Sequence, residues 1–444
     1  TTLAEELHVA EATEDDLYQA MDWLLERQPR IEKKLAARHL SEDCLVLYDV
    51  SSSYYEGHTC PLAQYGHDRD GKKGLPIIVY GVMTDGEGRP IAVEVYPGNT
   101  GDSTTVADQV EKLRDRFQLS HVVLVGDRGM LTQPQIDKMK MHPGLGWITA
   151  LTSVAIRGLL ETGALQLSLL DETNLAEITS PDYPGERLMV CHNPLLEEER
   201  GRKRRELLQA TEQALTKVGK QVERRKKKPL KEAEIALKVG KVLGRYKMGK
   251  HFLYIIGEGK FQWSRREQTI EREAKLDGIY VIRTSESEER LSAADTVRSY
   301  KSLAQVERAF RTLKGMDLRI RPIHHRTEDH VRAHIFLCML AYYVEWHMRQ
   351  ALAPLLFEDE ELAQNRTRRD PVAPAQASDS AKTKKADRVT TDGFPVHSFD
   401  TLLRELATRC RNTCRIPSDP SGTTFQQLTE ATPLQARAFQ LLGL

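Results

Sequence analysis

Two aspartates and a glutamate stand where carboxylates could work together. Asp49 lies near the end of an apolar, β-branched run, in Leu47-Tyr48-Asp49-Val50-Ser51-Ser52, and Asp127 directly follows a second such run, in Val125-Gly126-Asp127-Arg128-Gly129-Met130. A carboxylate at the end of a buried strand is held rigidly by the sheet and can still face a cleft. Each could equally cap a turn or the next helix, the commoner use of such an Asp. Two of them on strands that could be neighbours point toward an oxygen-rich site for a divalent ion, Mg²⁺ or Mn²⁺. The third acid is Glu307. Tyr300, Glu307 and Lys314 recur every seven residues and Arg311 falls one turn after Glu307, so a helix would carry all four on one face. Val306, Phe310 and Leu313 fall on another face, which must be the buried one. The plainer alternative is a solvated face in which Glu307 and Arg311 form an ordinary i,i+4 ion pair.

The elements that would position these groups form a mixed α/β pattern. Residues 13–39 read as two helices, the first opened by a capping box at Thr13 and Asp16, the second beginning at Pro29. Cys44–Val50, Ile77–Met83 and Ile91–Tyr96 read as strands, with a turn at Asp85-Gly86-Glu87-Gly88 between the last two. A helical stretch, Thr104–Phe117, leads to a strand at His121–Gly126, and a further helix leads to another at Gly146–Leu151. Residues 155–276 change character and read as an insertion, with 17 Lys/Arg against 5 Asp/Glu between 201 and 250. That basic stretch is either a track for a phosphate backbone or a solvated helical hairpin. Strand signals return at His251–Ile256 and Gly278–Arg283, and Ser292–Lys314 and Glu328–Met348 are amphipathic helices. Residues 356–395 read as a flexible linker, and 396–444 as a small helical cap around Leu402, Leu403 and Leu406.

Composition narrows the function classes. The 64 basic residues cancel the 64 acidic ones, so net charge says nothing for or against a nucleic-acid partner. Six cysteines without a Cys-x-x-Cys pair fit neither a disulfide framework nor a structural zinc site. The longest apolar run, Ile335–Val344, has ten residues where a membrane span needs about twenty, so a buried helix is expected and no membrane partner. His330 and His334 share a helix face, but no glutamate follows His330, so the zinc-protease pattern is absent. Gly71-Lys72-Lys73-Gly74 lacks the strand–loop–helix setting of a phosphate-binding loop. Asp102 is expected to hold a turn.

Taken together, these segments resemble the DDE transposases of bacterial insertion sequences, within the retroviral-integrase-like superfamily. One subgroup carries a signature of Tyr, two residues, Arg, three residues, Glu, six residues, Lys. Here it reads Tyr300, Leu303, Glu307, Lys314, with Leu303 in place of the Arg. Tyr48–Gly57 is similar to that group's first-Asp motif, Pro97–Asp102 to its Gly-Asn-Thr turn, and Val125–Met130 to its second-Asp motif. The likeness runs from about residue 13 to 350. It implies an RNase H-like mixed sheet flanked by helices, split into halves at 41–154 and 277–355 around the β-rich and basic insertion, with residues 1–40 a helical segment in front. It also implies Asp49, Asp127 and Glu307 as catalytic residues holding two Mg²⁺ (or Mn²⁺) ions. Tyr300, Lys314, Arg311 and Arg128 would contact DNA, although Arg128 could instead pair with a catalytic carboxylate.

The expected activity is DNA cleavage at element ends followed by transfer of the freed 3′-OH into target DNA, by a homodimer in the bacterial cytoplasm, associated with the nucleoid. A nuclease that stops at hydrolysis, or a non-catalytic DNA-binding protein, are the alternatives. Relatives of this kind carry an N-terminal segment that reads the element ends, so the short, acidic start raises the expectation of a truncated chain.

Overall fold

A computed structural model describes residues 7, 9, 11–315, 318–415 and 423–444; most of the first ten residues of the expected N-terminal helical segment lie outside these. The chain divides into two compact units, one made of residues up to Thr149 and from Thr284 onward, the other of Ala150–Arg283. The first unit opens with α1 (Glu14–His39), capped by Thr13 and Asp16 as expected. It is one helix, not two, and Pro29 sits inside it. Tertiary contacts hold the turn on which Pro29 leaves a carbonyl without its N–H. Gln28 Nε2 donates to Val93 O at 3.0 Å, and buried Glu32 accepts from Val93 N at 3.1 Å and meets Lys112 at 3.3 Å.

Then come β1 (Cys44–Tyr54), β2 (Ile77–Asp85) and β3 (Pro90–Pro97), antiparallel in sequence, with every residue of β2 buried. The turn between β2 and β3 is tied by Asp85, whose carboxylate accepts from Glu87 N at 3.0 Å and Arg89 N at 2.9 Å. A helical stretch includes α2 (Val106–Glu111); β4 (Val122–Val125), α3 (Gln133–Met139) and β5 (Leu145–Ala150) follow. β4 is parallel to both β1 and β5, which gives the order β3-β2-β1-β4-β5. Three antiparallel strands extended by two parallel ones, with helices on the faces, form the expected RNase H-like mixed sheet.

The second unit begins with α4 (Ser153–Glu161), packed on strands β6 (Leu175–Ile178), β7 (Arg187–His192) and β10 (Ile279–Thr284), which follow one another in the order β10-β7-β6. Between β7 and β10 lie α5 (Pro194–Arg224), α6 (Glu232–Tyr246), the hairpin β8 (Phe252–Gly257) and β9 (Lys260–Arg265), and α7 (Glu267–Ala274). The basic stretch is a helical hairpin. Leu208, Leu215, Val218 and Val222 of α5 meet Ile235 and Val239 of α6 in a buried seam, and Arg202, Lys203 and Lys220 face solvent.

The chain returns to the first unit with α8 (Ala293–Lys301) and α9 (Leu303–Lys314), where one continuous helix is expected. The break falls at Ser302, whose Oγ bonds back to Arg298 O at 3.1 Å and also accepts from Arg366. α10 (Glu328–Leu352) contains the Ile335–Val344 run, and no described helix is long and apolar enough to cross a membrane.

Residues 356–395 carry α11 (Leu362–Arg368) and α12 (Asp379–Asp387) where a flexible linker is expected. They are tied down by cations of α8: Arg298 donates to Arg366 O and Arg369 O, each at 3.1 Å, and Lys301 Nζ to Val372 O at 2.8 Å. α13 (Phe399–Leu406) and α14 (Pro433–Leu442) pack around Phe399, Leu402 and Ala438, and the unexpected pair β11 (Arg411–Arg415) and β12 (Thr424–Leu428) lies between them.

Candidate active site

Strand register brings the two aspartates together. β1 and β4 pair in parallel from Cys44–Val122 to Leu47–Val125. Asp49 and Asp127 each stand two residues beyond the last pair, Asp49 still on β1 and Asp127 just past the end of β4, and the charge of Asp127 is felt at Asp49. Asp49 lies at mid-strand, not near the strand's end as expected, because β1 continues beside β2 as far as Tyr54. What ends beside Asp49 is its neighbour, β4, and that opens the flank. Val50 N donates to Asp49 Oδ1 at 2.8 Å. Asp127 is exposed and holds its own turn, its Oδ1 accepting from Gly129 N at 2.6 Å and Met130 N at 3.0 Å. A Cβ at Gly129 would lie 3.2 Å from that oxygen, so the turn closes best on glycine.

Glu307 comes from α9, which lies across β1 and buries Val306, Ala309, Phe310 and Leu313. The Phe310 ring meets Tyr80 of β2 edge-on, 5.9 Å between centroids. Glu307 is exposed and makes no hydrogen bond or ion pair with a described residue, so the i,i+4 pair with Arg311 does not form. Its charge is nevertheless felt across the site. Burial pushes the Asp49 carboxyl up to about 7, and the charges of Asp127 and Glu307 push the same way against the Val50 N–H and the Arg69 guanidinium. Burial also pushes the Tyr300 phenol up to about 12, again with Asp127 and Glu307 adding to it and Arg128 opposing.

The profile of the transposase DDE domain matches residues 41–344. The chain belongs to the transposase DDE-domain family. Among solved structures it is similar to a piggyBac transposase synaptic complex with hairpin DNA, at 11% identity and a TM-score of 0.24, over 79% of this chain and 63% of that one. It is similar also to a Mos1 transposase paired-end complex with the left transposon end, at 14% identity and a TM-score of 0.17, over 36% of this chain and 55% of that one. It thus spans less than two thirds of either neighbour, and overlaps this loose carry no residue correspondence. No curated protein matched it in sequence.

Within this DDE domain, Asp49, Asp127, Glu307, Tyr300 and Arg128 share one electrostatic neighbourhood. Arg311 is exposed and unpaired among the described residues. Lys314 is engaged: its ammonium donates to Ser52 O at 2.6 Å and to Asp70 Oδ1 at 2.9 Å. Burial pulls its pKa down, and Asp70 opposes that.

Sequence reasoning did not single out Arg69 or Asp70. Asp70 is almost fully buried, takes Tyr54 N at 3.2 Å as well as Lys314, and pairs with Arg321. Asp102 opens a one-turn helix, but its carboxylate makes no capping bond there and instead takes Arg69 at 2.5 Å. The signal available for Arg69 and Asp70 was only an alternation of charge in a loop.

Three carboxylates, one of them half-buried and burdened by the other two, are a donor set suited to a hard divalent cation. As placed, no three His, Cys, Asp or Glu side chains among the described residues converge on a single ion. His330 and His334 are occupied elsewhere, with Asp22 at 3.1 Å and with Ile320 O at 3.1 Å.

Proposed function

We propose that this chain is a transposase of the insertion-sequence type with a Tyr-Arg-Glu-Lys-like signature, cleaving DNA at element ends and transferring the freed 3′-OH into target DNA. The observation that carries the reading is the β1–β4 register, which puts Asp49 and Asp127 each two residues beyond the last pair, with the charges of Asp127 and Glu307 felt at Asp49. Membership of the DDE-domain family supports it.

Asp49, Asp127 and Glu307 would hold two Mg²⁺ or Mn²⁺ ions. Such a pair, when bound, supplies Lewis-acid stabilisation of the attacking and leaving oxygens of an in-line displacement at phosphorus. The N–H groups of Gly129 and Met130 orient Asp127, leaving its second oxygen to face the site. Tyr300, titrating only near 12, keeps its phenolic proton at neutral pH and can donate it to a phosphate oxygen. Lys314 uses two of its three N–H donors on Ser52 and Asp70, which leaves the third for DNA. Arg128 and Arg311, both exposed, suit backbone phosphate contacts that set position. We place the protein on the nucleoid of a bacterial cytoplasm, working as a homodimer.

The test is Mg²⁺- or Mn²⁺-dependent nicking and joining of labelled linear DNA, wild type beside Asp127→Ala. Joined products that vanish in the variant support strand transfer at this site. Nicking without joining supports the hydrolytic alternative, and identical behaviour of the two proteins removes Asp127 from the chemistry.

A further inference from the structure

Three carboxylates that must admit a DNA phosphate face a charge problem. Each repels the substrate, and the exposed cations nearby, Arg128 and Arg311, are not held by any side chain among the described residues. A guanidinium felt at Asp49 that is held in place comes from the loop joining β1 to β2. The backbone at Arg69 is stitched to β1: Arg69 N donates to Ser52 Oγ at 3.4 Å, and that hydroxyl donates to His67 O at 3.3 Å. Ser52 is three residues beyond Asp49 on the same strand. The next residue, Asp70, is clamped by Tyr54 N at 3.2 Å, by Lys314 at 2.9 Å and by Arg321. Position 69 is therefore anchored on both sides.

The side chain is held as well. Arg69 Nη2 reaches both oxygens of Asp102 at 2.5 Å. Its Nε and Nη1 donors have no partner among the described residues, and the side chain is 20% exposed. A guanidinium serving only to satisfy Asp102 would be expected to meet it fork to fork, through two nitrogens. Here a single nitrogen is committed and the rest of the fork is free, in a side chain whose charge is felt at Asp49. Leu303 begins α9, so that helix brings no guanidinium of its own to its first turn.

We infer that Arg69 is a substrate-contacting residue of this site, its free fork taking a phosphate oxygen of the DNA strand that lies against Asp49. Asp102 is its positioning residue, holding one nitrogen so that the others are aimed before DNA arrives. Arginine suits the task because its planar fork stays charged and matches phosphate geometry, where lysine would offer only a point charge. The inference rests on the phosphoryl-transfer reading of the site.

The test compares wild type, Arg69→Ala, Arg69→Lys and Asp127→Ala in two assays. The first is affinity for a labelled linear duplex across a salt series. The second is Mg²⁺-dependent nicking of the same duplex with and without added methylguanidinium. Arg69→Ala should shallow the slope of log affinity against log salt by about one phosphate. It should also slow nicking roughly 10²-fold, the loss typical of one charge-stabilising donor. The thermal midpoint should stay put, methylguanidinium should restore part of the rate to Arg69→Ala alone, and Arg69→Lys should keep the wild-type salt slope.

An unchanged salt slope in Arg69→Ala overturns the inference. So does a rate loss that tracks a fallen midpoint and resists methylguanidinium, which would make Arg69 a structural partner of Asp102. Wild type and Asp127→Ala nicking equally would instead sink the DDE assignment, and the salt slope would still decide whether Arg69 touches phosphate.

Discussion

The two halves of the site are held in different ways. The sheet half, Asp49 and Asp127, is set by strand register and by hydrogen bonds from neighbouring N–H groups. The helix half, Glu307, has no polar partner among the described residues and stands where it does because α9 is packed and clamped. Its position depends on Phe310 against Tyr80 and on the Lys314–Asp70–Arg321 cluster that ties the end of α9 back to β1. The acids on the sheet are thus positioned locally and the acid on the helix remotely. A change far from Glu307 should disturb it as much as a change beside it.

The largest effect expected is common to both halves. Asp49→Asn, Asp127→Asn and Glu307→Gln should each lower metal-dependent nicking by on the order of 10³-fold or more, since each removes a charge from the ion-holding set. Single-turnover rates at saturating Mg²⁺ would check this, and a variant within tenfold of wild type would take that residue out of the set. The next effect separates the halves. Phe310→Ala should cost about 3–5 kcal/mol of stability through the cavity it leaves. Asp70→Asn should cost about 3 kcal/mol or more by leaving the Lys314 and Arg321 charges without their buried counter-charge. Both should also reduce nicking, although neither residue faces the substrate. Urea midpoints set beside nicking rates would measure the coupling. Full activity in either variant under stabilising conditions would mean that α9 is positioned by something else.

An acid titration separates the scaffold from the site itself. His39, at the end of α1, accepts an N–H of Arg89 on Nδ1 at 2.7 Å and bonds Tyr343 through Nε2 at 2.8 Å, an arrangement that needs a neutral ring. Burial and the Arg89 charge pull its pKa down to about 4. A folded value below the unfolded one means that the unfolded chain binds more protons between the two. Stability is therefore complete above about pH 6.5 and drains as pH falls toward 4. Between pH 7 and 5 this should amount to about 1 kcal/mol once partial exposure is allowed for. Denaturant midpoints at the two pH values should converge in His39→Gln, and an equal drop in both proteins would assign the acid loss elsewhere.

How much of this was legible follows from the kind of signal each part leaves. The strand bearing Asp49 and the one leading to Asp127 are plain in sequence because Leu45-Val46-Leu47 and Val122–Val125 are unbroken apolar runs. The mid-strand place of Asp49 is not. Ser51-Ser52-Ser53 looks like a turn, and it extends as strand only because β2 pairs with it and Ser53 Oγ finds Tyr80 OH at 2.9 Å. The helix that carries Glu307 shows in its seven-residue spacing, but its break at Ser302 depends on Arg366, sixty-four residues away. The same remote pairing folds the stretch expected to be a linker, whose poor apolar content hides the fact that arginine and lysine of α8 satisfy its carbonyls. Arg69 and Asp70 lie in a loop, where no periodicity can mark them, and they become visible only through what they touch.

The smallest effect is the sharpest test of the contrast between the halves. Asp127→Ala removes an acceptor from two N–H groups, and so should cost stability by about 1 kcal/mol, even with no metal or DNA present. Glu307→Ala removes no bond and relieves a repulsion felt at Asp49, so its stability should be unchanged or slightly higher. A thermal midpoint lowered for the first variant and held for the second, both measured in a chelator, would bear out local against remote positioning. Equal losses would mean that Glu307 has a partner in solution and that the two halves are built alike.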